Sequence, residues 1–297
     1  MQVLIFGCGD TGRRVARLYR EQDNAVTGVV RHEASARALR ELDIEVCLLD
    51  LDRPPAAVNL PSRAACVFYL APPPAHGEGD SRLQNALALL ERNGLPARIL
   101  YISTTGVYGD CNGDWIDETA PLNPVAPRAQ RRVAAESSLR EWCGRHRVPW
   151  LILRVAAIYG PGRLPLERLR AGMPAVHPDA SGYSNRIHVD DLARICVKAM
   201  DAAPDNSVYN VSDGNPLRFT DYLLLLAELS GLPAPPMISM QAAESRIDPG
   251  LMSFLRESKR IRNDKLLREL DITLHYPDAR QGIAASLSAR RSQKETG

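Results

Sequence analysis

A chain of 297 residues is long enough for one large domain or two smaller ones with a substantial core. With 24% charged and 45% hydrophobic residues and a net charge of +2 spread along the chain, it carries no field that would recruit nucleic acid or an anionic membrane. No apolar run approaches the roughly 20 residues of a membrane span. The start "MQVLIFGCGD" also lacks the basic region and small-residue cleavage site of a signal peptide, so a soluble, cytoplasmic protein is expected.

The predicted elements alternate through the first half. "QVLIF" is a strand, then glycines open a helix from Thr11 to Gln22. "AVTGVV" is a second strand, followed by a helix around Ala34 to Leu42. "IEVCLL" and "ACVFYLA" are the third and fourth strands, and a helix covers about Ser81 to Arg92. "RILYIS" is the fifth strand. The helix opened by "APRAQRRVAAE" follows, then "WLILRVAAI" is read as a single strand. Apolar strands separated by helices predict a parallel sheet covered on both faces, with right-handed crossovers. After Gly160 the pattern loosens: "YGPGRLPLERLRAG" is a turn and a short helix, "HVDDLARICVKAMDA" a helix, "VYNVSD" a strand, "FTDYLLLLAELSG" a helix, "MISM" a short strand. "SKRIRNDKLLRELDI" reads as loop plus helix, and "ARRSQKETG" as a frayed tail. Six scattered cysteines with no C-x-x-C pair argue against a zinc site and a disulfide framework; most are read as buried small hydrophobes.

Gly7, Gly9 and Gly12 form G-x-G-x-x-G between the first strand and its helix, the setting in which this pattern carries weight. Gly7 permits the tight turn, Gly9 lets backbone approach a pyrophosphate, and Gly12 lets helix and strand pack closely. The free N–H groups at the helix start, at Asp10, Thr11 and Gly12, then bind phosphate. The second strand ends in Arg31, where such sites commonly place an acid for the ribose hydroxyl. An arginine there suits a 2′-phosphate and favours NADP over NAD; the other reading is a solvated loop arginine. Asp50 ends the third strand and meets either the adenine edge or its own turn. Ala71 and Pro72 leave the fourth strand beside the cofactor ribose.

"YISTTGVYGD", after the fifth strand, together with the glycine loop, resembles the short-chain dehydrogenase/reductase superfamily in its extended, nucleotide-sugar epimerase-like form. "LRVAAIYGPGR", "NRIHVDDLA", "YNVSDG" and "KRIRNDKLLRELDI" agree in order and spacing, so the resemblance covers almost the whole chain. It implies an α/β fold: a Rossmann-type doubly wound parallel sheet over 1–160, with 187–213 packing onto it. A smaller C-terminal substrate lobe over most of 161–297 would complete it, with the substrate between the two. The family's active site uses Ser or Thr, Tyr and Lys. The hydroxyl falls on Thr104, with Ser103 beside it among the cofactor contacts; the other reading of Thr104 is a strand-end threonine bonding its own backbone.

The Tyr-x-x-x-Lys pair, with a Glu four residues after the Lys, aligns on Arg128, Arg132 and Glu136. Both key residues are therefore replaced, and Phe6 stands where the family's glycine loop has its first glycine. Arginine keeps its proton at working pH, so Arg128 cannot be a general base. It can orient a substrate or stabilise an oxyanion, and Arg132 can reach the nicotinamide ribose. Arginines at a positive helix start suit an anion, although a solvated helix surface is the other reading; Arg131 is read as solvated. Tyr108 is a further candidate acid, although the tyrosine of this loop usually packs. Arg186 is expected in the interlobe cleft as a substrate contact, His188 as a buried, satisfied histidine, and Asp190 or Asp191 at the helix start. His76 borders the cofactor at most. The function implied is a nicotinamide-cofactor oxidoreductase or epimerase acting on a polar, small-molecule substrate, nucleotide-linked in many relatives. The alternative is a catalytically silent NADP-binding sensor; a bare scaffold would bind no cofactor. Relatives pair through helices equivalent to the fourth and fifth here, which implies a homodimer.

Overall fold

The computed structural model describes residues 1–295, with backbone alone for Pro249 and 290–295. The apolar runs become seven strands, labelled β1 (Gln2–Phe6), β2 (Ala25–Val30), β3 (Glu45–Leu48), β4 (Cys66–Tyr69), β5 (Arg98–Thr104), β6 (Trp150–Val155) and β7 (Ser207–Val211). They form one sheet in the order β7-β6-β5-β4-β1-β2-β3, and every pair is parallel. Four helices cross between β1 and β6: α1 (Asp10–Arg20), α2 (Glu33–Arg40), α3 (Ser81–Asn93) and α4 (Pro127–His146). Further along come α5 (Val189–Ala202), α6 (Phe219–Ser230), α7 (Pro249–Leu255), α8 (Asp264–Leu270) and α9 (Ala279–Glu295).

Strands buried on both faces read as continuous apolar runs, and side chains alternate between the faces. Val3, Ile5, Phe68 and Leu100 pack beneath α1, α2 and α5 on one side. Leu4, Phe6, Val67, Tyr69 and Tyr101 pack beneath α3 and α4 on the other. Helix α5 lies along α1, tied by an ion pair of Arg14 with Asp190 and by the Tyr19 hydroxyl donating to Asp201 at 2.9 Å. Two smaller cores lie apart from the sheet: Tyr159, Leu169, Tyr222, Leu226 and Ile283 in one, Val176, Ala243, Ile247, Met252 and Leu255 in the other.

Two expectations are corrected. The run "WLILRVAAI" is not one strand. At Ala156 the chain leaves the sheet, and Ala157–Tyr159 pairs instead with Arg186–His188. The Ala156 N–H still bonds Val211, at 2.9 Å, but the Ala157 N–H bonds Asn185, at 3.1 Å, so the backbone changes partners within one residue. The expected frayed tail is helical as far as Glu295, and Thr296 and Gly297 lie outside the described residues. Among the described residues no helix is long and apolar enough to cross a membrane.

Candidate functional site

The strand order reverses between β1 and β4, and in sheets of this kind ligands lie outside the carboxyl ends of the strands at such a reversal. Gly7 turns the chain there at φ +75°, and a Cβ on it would stand 2.5 Å from the Ala71 nitrogen. Gly12 packs tightly, with an ideal Cβ 3.3 Å from Cys8 Sγ and from Ile5. Gly9 is different: its Cβ would meet nothing nearer than the Gly7 carbonyl at 4.0 Å. Helix α1 starts at Gly9 with no side-chain cap. Its first N–H groups, at Asp10, Thr11 and Gly12, are thus left for an anion, and a pyrophosphate fits this cradle. The Asp10 carboxylate turns aside to Arg14 at 3.3 Å and Arg163 at 2.6 Å. Burial pushes that carboxyl up, but the two guanidiniums outweigh it and hold it below the usual range.

At the β2 exit, Arg31 is half-exposed and contacts Asp52 at 3.3 Å and His32 at 3.0 Å. Asp50 takes up its turn role, accepting from the Asp52 N–H at 2.9 Å. Ala71 is buried and Pro72 exposed; the Pro72 carbonyl accepts from Arg82 at 3.0 Å. His76 lies exposed in its loop.

Beyond β5, Thr104 is half-buried and its hydroxyl accepts from the Gly106 N–H at 3.2 Å, which starts the turn Thr105–Tyr108. The hydroxyl proton remains available to a ligand. Ser103 is corrected from a cofactor contact. It is buried and donates to Glu136 at 2.6 Å, on the opposite face of the strand from Thr104. Tyr108 is corrected as a candidate acid. Its buried hydroxyl donates to Asn210 at 2.7 Å and accepts from Arg154 at 2.9 Å, and burial, against the pull of Arg154, pushes its pKa up to about 12. A Tyr108→Phe variant is expected to lose about 1–2 kcal/mol, because the Asn210 oxygen loses its donor. Urea unfolding reads that loss, and cofactor affinity should be unchanged.

The arginines of α4 divide three ways. Arg128 donates to Ser253 at 2.8 Å, and its guanidinium lies 3.6 Å from the Phe254 ring centre, so α7 covers it. Burial pushes its pKa below the ordinary value. Among the described residues no carboxylate lies within ion-pair distance of it; Glu257, which acts on it electrostatically, is held by Lys259 at 2.6 Å. Arg132 donates to the Tyr101 hydroxyl at 3.0 Å and the Ile102 carbonyl at 2.9 Å, both through one nitrogen. Its remaining donors are free for a second partner. Arg131, expected in solvent, is buried against the Gly77 carbonyl at 3.3 Å.

Arg186 is corrected as a substrate contact. It is only 5% exposed, lies 3.8 Å from the Tyr222 ring centre and bonds the Ser184 hydroxyl at 2.8 Å, so internal packing holds it. Asp213 lies within its electrostatic reach, its carboxyl pushed up to about 7 by burial. His188 is buried, 3.2 Å from Ser286 Oγ, and its ring accepts from the Asp190 N–H at the start of α5. Sequence reading passed over the hub of the buried network, the pair Glu136–Arg154. A lone charge inside the apolar run "WLILRV" was its signal. Asp52, Arg82, Ser253 and Phe254 carried none, because no periodicity links them to the motifs.

Sheet order and the uncapped glycine turn together define a Rossmann-type dinucleotide-binding fold. The chain belongs to the NAD dependent epimerase/dehydratase family, whose model matches residues 3–212. It is similar to protein YeeZ of Escherichia coli K12, 30% identical over 291 residues that cover 93% of this chain and 97% of that one. A conserved protein of Silicibacter pomeroyi DSS superposes with a TM-score of 0.81 at 33% identity, covering 97% of this chain and 98% of that one. The UDP-glucose 4-epimerase of Thermotoga maritima, solved with UDP-glucose, shares the fold at a TM-score of 0.78 and 19% identity over 99% of this chain and 100% of that one.

Proposed function

We propose that the chain binds NADP across β1–β4 and acts as an oxidoreductase or isomerase on a polar carbonyl or alcohol. Sugar nucleotides, named with several relatives, are the first class to test. The C-terminal lobe, 161–297 apart from 187–213, holds that substrate against the sheet. The bare Gly9 beside the uncapped start of α1 is the observation that carries the cofactor reading. The cofactor supplies a hydride acceptor or donor. The residues of the chain do the rest. Thr104 hydrogen-bonds the reacting oxygen, Arg128 stabilises negative charge developing there, and Arg132 holds the cofactor ribose. Protons come from water, since Tyr108 is sealed in the core and Arg128 keeps its own. The reading includes a cytoplasmic location and a homodimer.

Titration with NADPH and NADH, followed by fluorescence, tests it. NADPH should bind more tightly, and Arg31→Ala should weaken NADPH by about tenfold while leaving NADH within twofold. Equal binding of both would return Arg31 to the surface; binding of neither would remove the cofactor assignment. A silent NADP sensor is the second reading. It is favoured by the contact of Arg128 with Ser253 and Phe254, which fills the position of the family tyrosine with a group that does not titrate. Tight NADPH binding without turnover across a panel of sugar nucleotides and carbonyls would select it.

A further inference from the structure

The exit of β3 carries a charge arrangement that neither the glycine cradle nor the arginine helix uses. Two guanidiniums from different elements close on the Asp52 carboxylate. Arg31, from the end of β2, stands at 3.3 Å, and Arg82, from the first turn of α3, makes two bonds of 2.7 Å. Arg82 also donates to the Pro72 carbonyl at 3.0 Å, so it links the exits of β3 and β4, while Arg31 brings in that of β2. The Asp50 carboxylate fixes the backbone there by accepting from the Asp52 N–H at 2.9 Å. Hydrogen bonds from Arg82, then its charge and those of Arg31 and Arg53, hold the Asp52 carboxyl below the usual range, so it is an anion at neutral pH.

The cluster stays open to solvent: the side chains of Arg31, Asp52 and Arg82 are 48%, 33% and 20% exposed. An exposed pair of this kind is weak and exchangeable. A phosphate monoester brings about twice the charge of a carboxylate and three acceptor oxygens, so it satisfies two guanidinium forks better than a single acid does. We propose that Arg82 is a second reader, with Arg31, of the adenosine 2′-phosphate, and that Asp52 is a built-in competing anion the phosphate must displace. This rests on the NADP reading above. NADH leaves the Asp52 bridge intact, whereas NADPH breaks it, so the cofactor preference is the difference between two sets of arginine bonds.

The test is equilibrium binding of four probes, NADPH, NADH, 2′-AMP and 5′-AMP, to the wild-type chain and to Asp52→Asn and Arg82→Ala variants. Both positions are open to solvent, and melting temperatures check that both variants fold. Asp52→Asn should tighten NADPH and 2′-AMP about threefold to tenfold, and Arg82→Ala should weaken them by about tenfold. NADH and 5′-AMP should stay within about twofold in both. Wild-type binding of NADPH and 2′-AMP that Asp52→Asn leaves unchanged or weakens, or that Arg82→Ala leaves unchanged, would overturn the proposal and leave the NADP reading standing. Wild-type binding of NADH without 2′-AMP would overturn both.

Discussion

Replacing Glu136 with alanine should destabilise the protein by about 3–5 kcal/mol, a large share of what a domain this size has in reserve. Glu136 has no exposed surface, and four bonds end on its carboxylate. Ser103 stands at 2.6 Å, Arg154 at 3.2 and 2.9 Å, and Arg140 at 3.0 Å. Arg154 is itself only 4% exposed, so removing the acid strands a cation between β5 and β6 with the Tyr108 hydroxyl and the Glu118 carbonyl as its remaining partners. Denaturant midpoints with an unchanged slope would measure the loss; a cost under about 1 kcal/mol would mean that water reaches the site.

The same carboxylate sets an acid limb. Burial alone would raise its pKa, but the Arg154 bonds and charge, with Ser103 and Arg140, hold it net below the usual range. A depressed folded value means that the stabilisation is fully present above the unfolded value of about 4.3 and is lost as pH falls through the folded one. Stability of the wild-type chain should therefore decline below about pH 4.3, and Glu136→Ala should flatten that decline.

Gly7→Ala is the second large effect. A methyl group there stands 2.5 and 2.6 Å from the backbone N and Cα of Ala71, which cannot yield as a flexible side chain would, and φ is +75°. Overpacking and the left-handed backbone together should cost about 3 kcal/mol, and prying β1 from β4 should weaken NADPH at least about tenfold. Gly9→Ala is the contrast. Its methyl meets no protein atom closer than 4.0 Å, so the variant should melt with the wild type and lose cofactor affinity alone. Intact affinity in Gly9→Ala would mean that no ligand approaches that backbone.

Much of the architecture was legible because a parallel sheet needs apolar strands and glycine turns that leave a periodic trace. β1, β2, β3 and β4 fall within the runs that announce them, and β5 runs one residue past its own. The turn after β1 was legible because backbone chemistry demands a residue type there, as at Gly7 and Gly12. The candidate site was misread where a side chain's direction decides. Ser103 and Thr104 are neighbours with similar hydroxyls, yet strand alternation sends Ser103 to Glu136 and leaves Thr104 at the turn. Likewise, Arg128, Arg131 and Arg132 share one turn of α4 but meet α7, the loop at Gly77 and the strand end at Ile102.

By itself, then, the sequence determined the doubly wound sheet, the glycine turn at its reversal and the arginines at 128 and 132 of α4, because propensity, periodicity and side-chain chemistry are local properties. The tertiary structure alone decided that Tyr108 and Arg186 are sealed in packing and that α7 lies over Arg128. It also brought Arg31 and Arg82 onto the Asp52 carboxylate. These are contacts between residues from 21 to 125 positions apart, and only the folded chain sets such distances.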